Sequence, residues 1–136
     1  MTTQDIETKV KDLMTRHAAV LQKKATLSGQ LQAKREELAD LMEAAVAGSR
    51  PAVDLEWVPY ERQIGLTGKK VSPRLLLASG ISGAFEFVAG IKDAHFVVAI
   101  NRDSTAPIFK VADLGIIGDH HQILPALNDA LRRMKR

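Results

Sequence analysis

Apolar residues in the first 45 positions recur at alternating steps of four and three, the spacing of a heptad repeat. One heptad position holds Ile6, Leu13, Val20, Leu27 and Leu41, with Lys34 in the remaining place. The other holds Val10, Leu31, Leu38 and Ala45, with His17 and Lys24 as polar exceptions. This unbroken register predicts a coiled-coil helix over residues 5–45, about 60 Å long at 1.5 Å per residue.

Two lysines on the seam of this helix indicate how many copies it brings together. Lys24 and Lys34 can extend their amines out of a two-stranded seam, whereas a larger closed core would bury them. We therefore expect a homo-oligomer through residues 5–45, most simply a dimer. Two alternatives stay open. Gly29, which costs a helix about 1 kcal/mol relative to alanine, could mark a bend between two antiparallel helices, or the segment could pack on its own domain.

The pattern changes near residue 47, and short apolar runs then alternate with helical periodicity. Strands are predicted at residues 74–79, 95–100 and 113–117, helices at 82–91 and 119–135, and a shorter strand at 44–48. Continuous apolar strands separated by helices indicate an α/β fold with a parallel sheet that has helices on its faces. We therefore predict two domains, a coiled-coil helix over residues 1–45 and an α/β domain over residues 46–136. Ligands of such sheets bind beyond the carboxyl ends of the strands.

Composition removes several classes of function. The chain has no cysteine, which excludes disulfides and thiolate-ligated metals, and no other metal site is predicted. No apolar run is long enough to cross a membrane, and no signal peptide precedes the helix, so we expect a cytoplasmic protein. The net charge of +3 comes from the last residues, Arg132, Arg133, Lys135 and Arg136. Such a basic helix end complements the helix dipole, so no nucleic-acid partner is expected.

Three loops have the composition of ligand-binding loops. Residues 79–83 (Ser-Gly-Ile-Ser-Gly) follow a predicted strand and open a helix, where glycines let backbone amides approach a phosphate. Residues 65–68 (Gly-Leu-Thr-Gly) form a turn with a hydroxyl at its apex, and Asn101 and Asp103 leave the end of a strand. Each loop taken alone is equally typical of an ordinary turn.

The joint occurrence of several motifs is more specific. In order, they are Gly48-Ser49-Arg50-Pro51-Ala52-Val53-Asp54, Gln63-Ile64-Gly65-Leu66-Thr67-Gly68, Val71-Ser72-Pro73-Arg74, Gly80-Ile81-Ser82-Gly83-Ala84, Ala89-Gly90-Ile91-Lys92-Asp93, Ala99-Ile100-Asn101, Ala106-Pro107-Ile108-Phe109, Val111-Ala112-Asp113 and Gly118-Asp119. From about Leu38 to Leu131 the chain resembles the C-terminal FAD-binding domain of the electron transfer flavoprotein alpha subunit. The resemblance implies a Rossmann-like sheet of the DHS-like NAD/FAD-binding type and FAD as the cofactor.

The resemblance also implies roles for individual residues. Ser49, Arg50 and Thr67 match positions beside the flavin ring, where a charged guanidinium favours reduced, anionic flavin. The loop that holds the pyrophosphate and ribityl chain corresponds to Ser82, Gly83, Ala84 and Phe85. The adenosine end corresponds to Asn101 and Asp119.

The chain departs from the family pattern at two ring-facing positions and upstream of the match. Leu66 replaces a glutamine, and Phe87 replaces a histidine that addresses the pyrimidine edge of the flavin. Residues 32–36 belong to the heptad helix where the family has a central strand and an Arg-Gly turn. The chain therefore looks like a recombined or engineered chimera.

The expected function is that of an FAD-binding electron carrier between partner proteins, with no substrate of its own and a beta-like subunit as a candidate partner. Two alternatives stay open: a non-catalytic, structural coiled-coil protein, and a module that binds AMP or ADP without flavin.

Overall fold

The computed structural model describes residues 2–136, without the side chains of Leu21, Lys24, Ala25, Leu27 and Ser28. The predicted seam positions 24 and 27 therefore lie outside the described side chains. The chain divides into two compact units between Ala33 and Lys34, earlier than the predicted domain boundary at residue 45. Its helices α1 to α4 span Thr3–Met42, Arg50–Asp54, Phe85–Ile91 and His120–Met134. Its strands β1 to β3 span Leu76–Ser79, Val97–Asn101 and Leu114–Ile117, and 3-10 turns span Tyr60–Arg62 and Pro107–Lys110.

Helix α1 has defined signals at both ends. Thr2 Oγ1 accepts a hydrogen bond from the Asp5 amide at 3.2 Å, and the Asp5 carboxylate accepts one from the Thr2 amide at 2.9 Å, which is a reciprocal capping box. The helix is continuous through Gly29, so the alternative with a bend at that residue is wrong. It ends at Met42 because Glu43 adopts a left-handed conformation, with φ 53°, and the Ala44 amide turns back to the Ala39 carbonyl at 2.8 Å.

In the unit that ends at Ala33, the predicted seam is open to solvent from Ile6 to Val20, whereas Leu31 is buried. Ile6, Val10, Leu13 and Val20 are each between 48% and 63% exposed in the single chain. A stripe of half-exposed aliphatic side chains on one helix is what a coiled coil presents before pairing. The coiled coil itself stays a prediction.

The last two turns of α1 belong to the unit that starts at Lys34, and they pack on α4. The buried Asn128 amide donates hydrogen bonds to the Lys34 carbonyl at 3.3 Å and to the Glu37 carboxylate at 3.1 Å. Arg132 forms an ion pair with the same carboxylate. Leu38, predicted to lie on the coiled-coil seam, is instead buried inside this unit. Heptad spacing creates an apolar helix face, and that face packs as readily on a neighbouring helix as on a second chain.

The sheet has three parallel strands in the order β1-β2-β3, which confirms the predicted α/β class and parallel sheet. Ala78 pairs with Ala99, and Ala99 pairs with Gly115. Each strand begins one or two residues later than predicted, which is the usual error of boundaries set from sequence. Since all three strands are parallel, their carboxyl ends lie at one edge, where the loops after β1 and β2 and the start of α4 meet.

The short strand predicted at residues 44–48 is wrong. Gly48 makes a single parallel bridge with Gln63, in which the Gly48 amide donates to the Arg62 carbonyl and the Ile64 amide donates to the Gly48 carbonyl. Alanine and glycine dominate this stretch and have low strand propensity, so the local sequence does not favour extension of this bridge into a strand. A Cβ at Gly48 would lie 2.9 Å from Val58 Cγ2, so the backbone passes too close to Val58 for a larger residue.

The core lies between the sheet and the chain segments that cover it. It consists of Ile64, Ala78, Phe87, Ile91, Ala99, Ala106 and Ile108. Gly65 and Gly90 sit back to back, because a Cβ at Gly90 would lie 2.6 Å from the Gly65 amide nitrogen. The turn at residues 65–68 is therefore held against α3. Within the described residues, no helix combines the length and hydropathy that spanning a membrane requires.

Candidate functional site

The loop after β1 crosses the carboxyl edge of the sheet and is fixed by backbone contacts. The Gly80 amide donates to the Ile100 carbonyl at 2.8 Å, and Asn101 Nδ2 donates to the Ile81 carbonyl at 3.0 Å. Gly80 and Gly83 have φ of +71° and +90°, a region that favours glycine. Asn101, one of the predicted adenosine contacts, therefore ties this loop to the end of β2.

A contact within the protein requires glycine at position 83. A Cβ there would lie 2.3 Å from the Ile108 amide nitrogen, and that amide donates to the Ser82 carbonyl at 2.9 Å. The sequence pattern had explained Gly83 by the approach of a phosphate. The packing of the loop on the turn Pro107–Lys110 is sufficient to require glycine here.

A polar cavity of about 260 Å³ opens at the carboxyl ends of the strands. It is lined by Gly80, Asn101, Arg102, Gly118, Asp119, His120 and His121. The cavity brings together Asn101 and Asp119, the two residues predicted for the adenosine end of a cofactor. Its volume is just under the roughly 300–1,000 Å³ of small-molecule pockets, so it suits one end of a dinucleotide rather than the whole molecule.

Asp119, at the rim of this cavity, also has a structural role. Its Oδ1 accepts a hydrogen bond from the His121 amide at 2.9 Å and so caps α4. One carboxylate oxygen of Asp119 and one ring nitrogen from each of His120 and His121 lie within 4.8 Å of one another, a spacing that suits a divalent cation.

His120 and Arg35 were not among the predicted site residues. His120 Nδ1 lies 3.4 Å from Ser79 Oγ, and Arg35 Nη2 donates to the Ser79 carbonyl at 3.2 Å. Burial lowers the pKa of His120, and the positive charges of Arg35 and His121 lower it further. His120 follows Asp119 directly, so it could have been included with it. No sequence signal links Arg35 to Ser79, 44 residues away.

The lowered pKa of His120 predicts a pH-dependent stability. In the unfolded chain the His120 ring takes up a proton near its ordinary pKa of 6.5, whereas in the folded chain the ring takes up a proton only at lower pH. Stability is therefore retained above about pH 6.5 and lost as the pH falls from there through the lowered folded value. His120→Asn should make the fall in Tm between pH 7 and pH 5 shallower by roughly 1–4 °C, since the ring is half-exposed and solvent screens the effect.

Differential scanning fluorimetry in buffer containing EDTA measures this slope. His95→Asn is the matched control, because the His95 ring is exposed and is not among the groups that lower the pKa of His120. Equal slopes for the two variants would contradict the assignment to His120.

The predicted ring contacts lie on a different part of the surface. Ser49 precedes α2, and the exposed Arg50 guanidinium lies 3.7 Å from the Asp54 carboxylate. Thr67 Oγ1 accepts a hydrogen bond from Gln63 Nε2 at 2.9 Å. None of these residues lines the polar cavity. Their role toward a flavin ring stays a prediction.

The remaining predicted positions surround the start of α3. The exposed Leu66 lies against this helix, with its amide donating to the Glu86 carbonyl at 2.7 Å. Ala84 is the residue before α3, and Phe85 is 74% exposed. Phe87 is only 8% exposed and belongs to the core. Phe85 and Phe87 are two positions apart on a helix and so point to different sides, one to solvent and one to the interior.

A second cavity, of about 430 Å³, lies along the side of β1 that has no neighbouring strand. Its walls are largely aliphatic and come from the end of α1, the chain around Gly48 and residues 75–78. Arg35, Ser79 and Gly80 also line it, and Gly80 lines the polar cavity as well. The two cavities therefore meet at the carboxyl end of β1.

A parallel α/β sheet with a glycine loop and a polar cavity at its carboxyl edge is typical of the nucleotide-binding class of α/β proteins. The family model described as the electron transfer flavoprotein FAD-binding domain matches residues 17–92. The chain belongs to this family, which confirms the predicted resemblance. The match begins inside the segment predicted to be an unrelated coiled coil, so residues 17–37 also fall within it.

Individual relatives agree with the family match. The chain is 51% identical over 96 residues to the electron transfer flavoprotein subunit alpha of Paracoccus denitrificans, covering 71% of this chain and 31% of the relative. It is 50% identical over 94 residues to the same subunit of Clostridium acetobutylicum, covering 69% of this chain and 28% of the relative. It is 52% identical over 91 residues to protein FixB of Clostridium saccharobutylicum, covering 67% of this chain and 27% of the relative. The chain thus spans about three tenths of the length of these relatives.

Proposed function

We propose that the unit from Lys34 onward binds FAD at the carboxyl edge of its sheet and serves as the flavin-carrying part of an electron carrier. The observation that carries this proposal is the polar cavity, which joins Asn101 and Asp119 beside Gly80 in a chain of this family. The adenosine end of FAD fits this cavity, and the loop from Ser82 to Phe85 faces the pyrophosphate. FAD, when bound, supplies the electron-accepting and electron-donating chemistry. The AMP or ADP alternative finds no support in relatives named as flavoprotein subunits.

The ring end of the cofactor is proposed to lie toward Ser49, Arg50 and Thr67. Two contacts support this placement. Gly48 pairs with Gln63, and the Leu66 amide donates to the Glu86 carbonyl at the start of α3, next to the loop proposed for the pyrophosphate. The exposed Arg50 guanidinium would favour reduced flavin by its charge. Leu66 and Phe85 are exposed where the turn at residues 65–68 meets α3, and this face suits coverage by a second polypeptide.

Two kinds of partner follow from these surfaces. The relatives are named as alpha subunits, which supports a beta-like subunit as the partner that covers the face with Leu66 and Phe85. The open stripe of Ile6, Val10, Leu13 and Val20 supports self-association through a coiled coil.

The first test is direct binding of FAD. The purified chain, mixed with FAD and passed over a sizing column, should elute yellow with about one flavin per chain. Asp119→Asn, which keeps a side chain able to cap α4, should weaken FAD affinity by about 3- to 10-fold because it removes the charge at the adenosine end. Asp103→Asn is the matched control, since Asp103 is an exposed residue of the next loop whose carboxylate accepts hydrogen bonds from Thr105 and does not line the polar cavity.

Isothermal calorimetry gives both affinities. No binding at about 100 µM FAD, where a site with a Kd of 10 µM would be about 90% filled, would refute the proposed function.

A further inference from the structure

The side chain of Arg35 reaches from α1 to the carboxyl end of β1. Its Nη2 atom donates to the Ser79 carbonyl at 3.2 Å. Gly80 has no side chain, and the same Arg35 atom lies 3.7 Å from the position that a Cβ would occupy there. The guanidinium therefore stands at the first glycine of the loop, where the apolar and polar cavities meet.

Arg35 carries a charge for which the described part of the chain supplies no counter-ion. Burial lowers the pKa of Arg35, yet a guanidinium stays protonated at any physiological pH. Among the ion pairs formed by residues 2–136, none joins Arg35 to a carboxylate, whereas its neighbour Lys34 pairs with Glu37. A partly buried cation without a partner is unfavourable unless an anion binds there.

The groups around Arg35 add to the positive field. Arg35 and Arg102 both lower the pKa of the nearby His120, and the Asp119 carboxylate raises it. Gly80 is exposed and has φ +71°, and the His120 ring lies 2.6 Å from the position that a Cβ would occupy there. An arginine fork beside an exposed glycine is well suited to phosphate oxygens, which accept two parallel hydrogen bonds.

We propose that Arg35 binds a phosphate group at the carboxyl end of β1, beside Gly80. The proposal deepens the proposed function, because the diphosphate of FAD would supply that group, and it assigns a binding role to a residue of the heptad helix. The competing explanation is that Arg35 only fastens α1 to the Ser79 carbonyl. The two explanations differ in their effect on stability without ligand and on affinity for phosphate compounds.

The test compares three variants of the full chain in calorimetric titrations with FAD and with inorganic pyrophosphate. Arg35→Gln should weaken both by about 10- to 100-fold, the effect of losing a charge-assisted contact. Arg35→Lys keeps the charge without the planar fork and should fall between Arg35→Gln and the unmodified chain. Arg74→Gln removes the same charge from the amino end of β1, where Arg74 is exposed, and should change affinity by less than about twofold.

Thermal unfolding without ligand distinguishes a phosphate-binding role of Arg35 from a purely structural one. If Arg35 binds a phosphate, Arg35→Gln should leave Tm unchanged or raise it, because an uncompensated charge is removed. A Tm that falls for Arg35→Gln and for Arg35→Lys, with affinities for folded protein unchanged, would overturn the proposal.

The titrations also separate this proposal from the proposed function. FAD affinity that is equal in the unmodified chain and Arg35→Gln would overturn the role of Arg35 and leave FAD binding intact. Pyrophosphate binding that depends on Arg35, without FAD binding, would support the anion site and refute the flavin function. Absence of binding for both compounds in the unmodified chain would overturn both.

Discussion

Leu13→Ser should shift the chain from dimer to monomer. Leu13 lies on the predicted seam and is 63% exposed in the single chain, so pairing is what would bury it. Loss of its apolar contact should cost about 1.5–3 kcal/mol per chain, or about 3–6 kcal/mol per dimer. That corresponds to a rise of more than about 100-fold in the dimer dissociation constant. Sedimentation velocity over a range of concentrations measures it.

Ala18→Ser is the control for this experiment. Ala18 is exposed on the same helix but off the predicted seam, and serine lowers helix propensity there as well. It should leave the dimer intact. A monomer at every concentration for the unmodified chain, whose mass is 14.9 kDa, would contradict the coiled coil. Leu38 cannot serve in this test, because it is buried within the unit that starts at Lys34.

Phe87→Ala should lower the free energy of unfolding by about 3–5 kcal/mol, the usual cost of removing a buried aromatic side chain. Phe87 is 8% exposed and belongs to the core cluster with Ile64 and Ile108. Phe85→Ala is the matched control on the same helix, since Phe85 is 74% exposed and its loss should change stability by no more than about 0.5 kcal/mol. Urea denaturation followed by circular dichroism gives both values.

Phe87→His tests the role that the family resemblance implies for this position. An imidazole in the core has no hydrogen-bond partner to replace water, so we expect a destabilised protein rather than a new contact to flavin. A Phe87→His variant with full stability and tighter FAD binding would place this position at the flavin edge instead.

The α/β class was predictable because its signal is local. Three apolar runs with helices between them reproduce β1, β2 and β3 within a few residues. The strand predicted at residues 44–48 does not form, because its alanines and glycine have low strand propensity. The one bridge in this stretch pairs Gly48 with Gln63, which lies outside the local sequence pattern. The loop glycines were recognised, but the reason for Gly83 was not, since its constraint comes from Ile108.

The amino-acid sequence by itself determined the family, the parallel sheet, the helix from the first residues onward and the polar ends of the strands. These properties rest on spacing and short-range preference, which are readable along the chain. The tertiary structure alone decided that Leu38 packs inside the domain, that Phe87 lies in the core, and that Arg35 reaches Ser79. The physical reason is that heptad and helical spacing define an apolar face without defining what covers it. Contacts between residues far apart in sequence arise only when the elements pack.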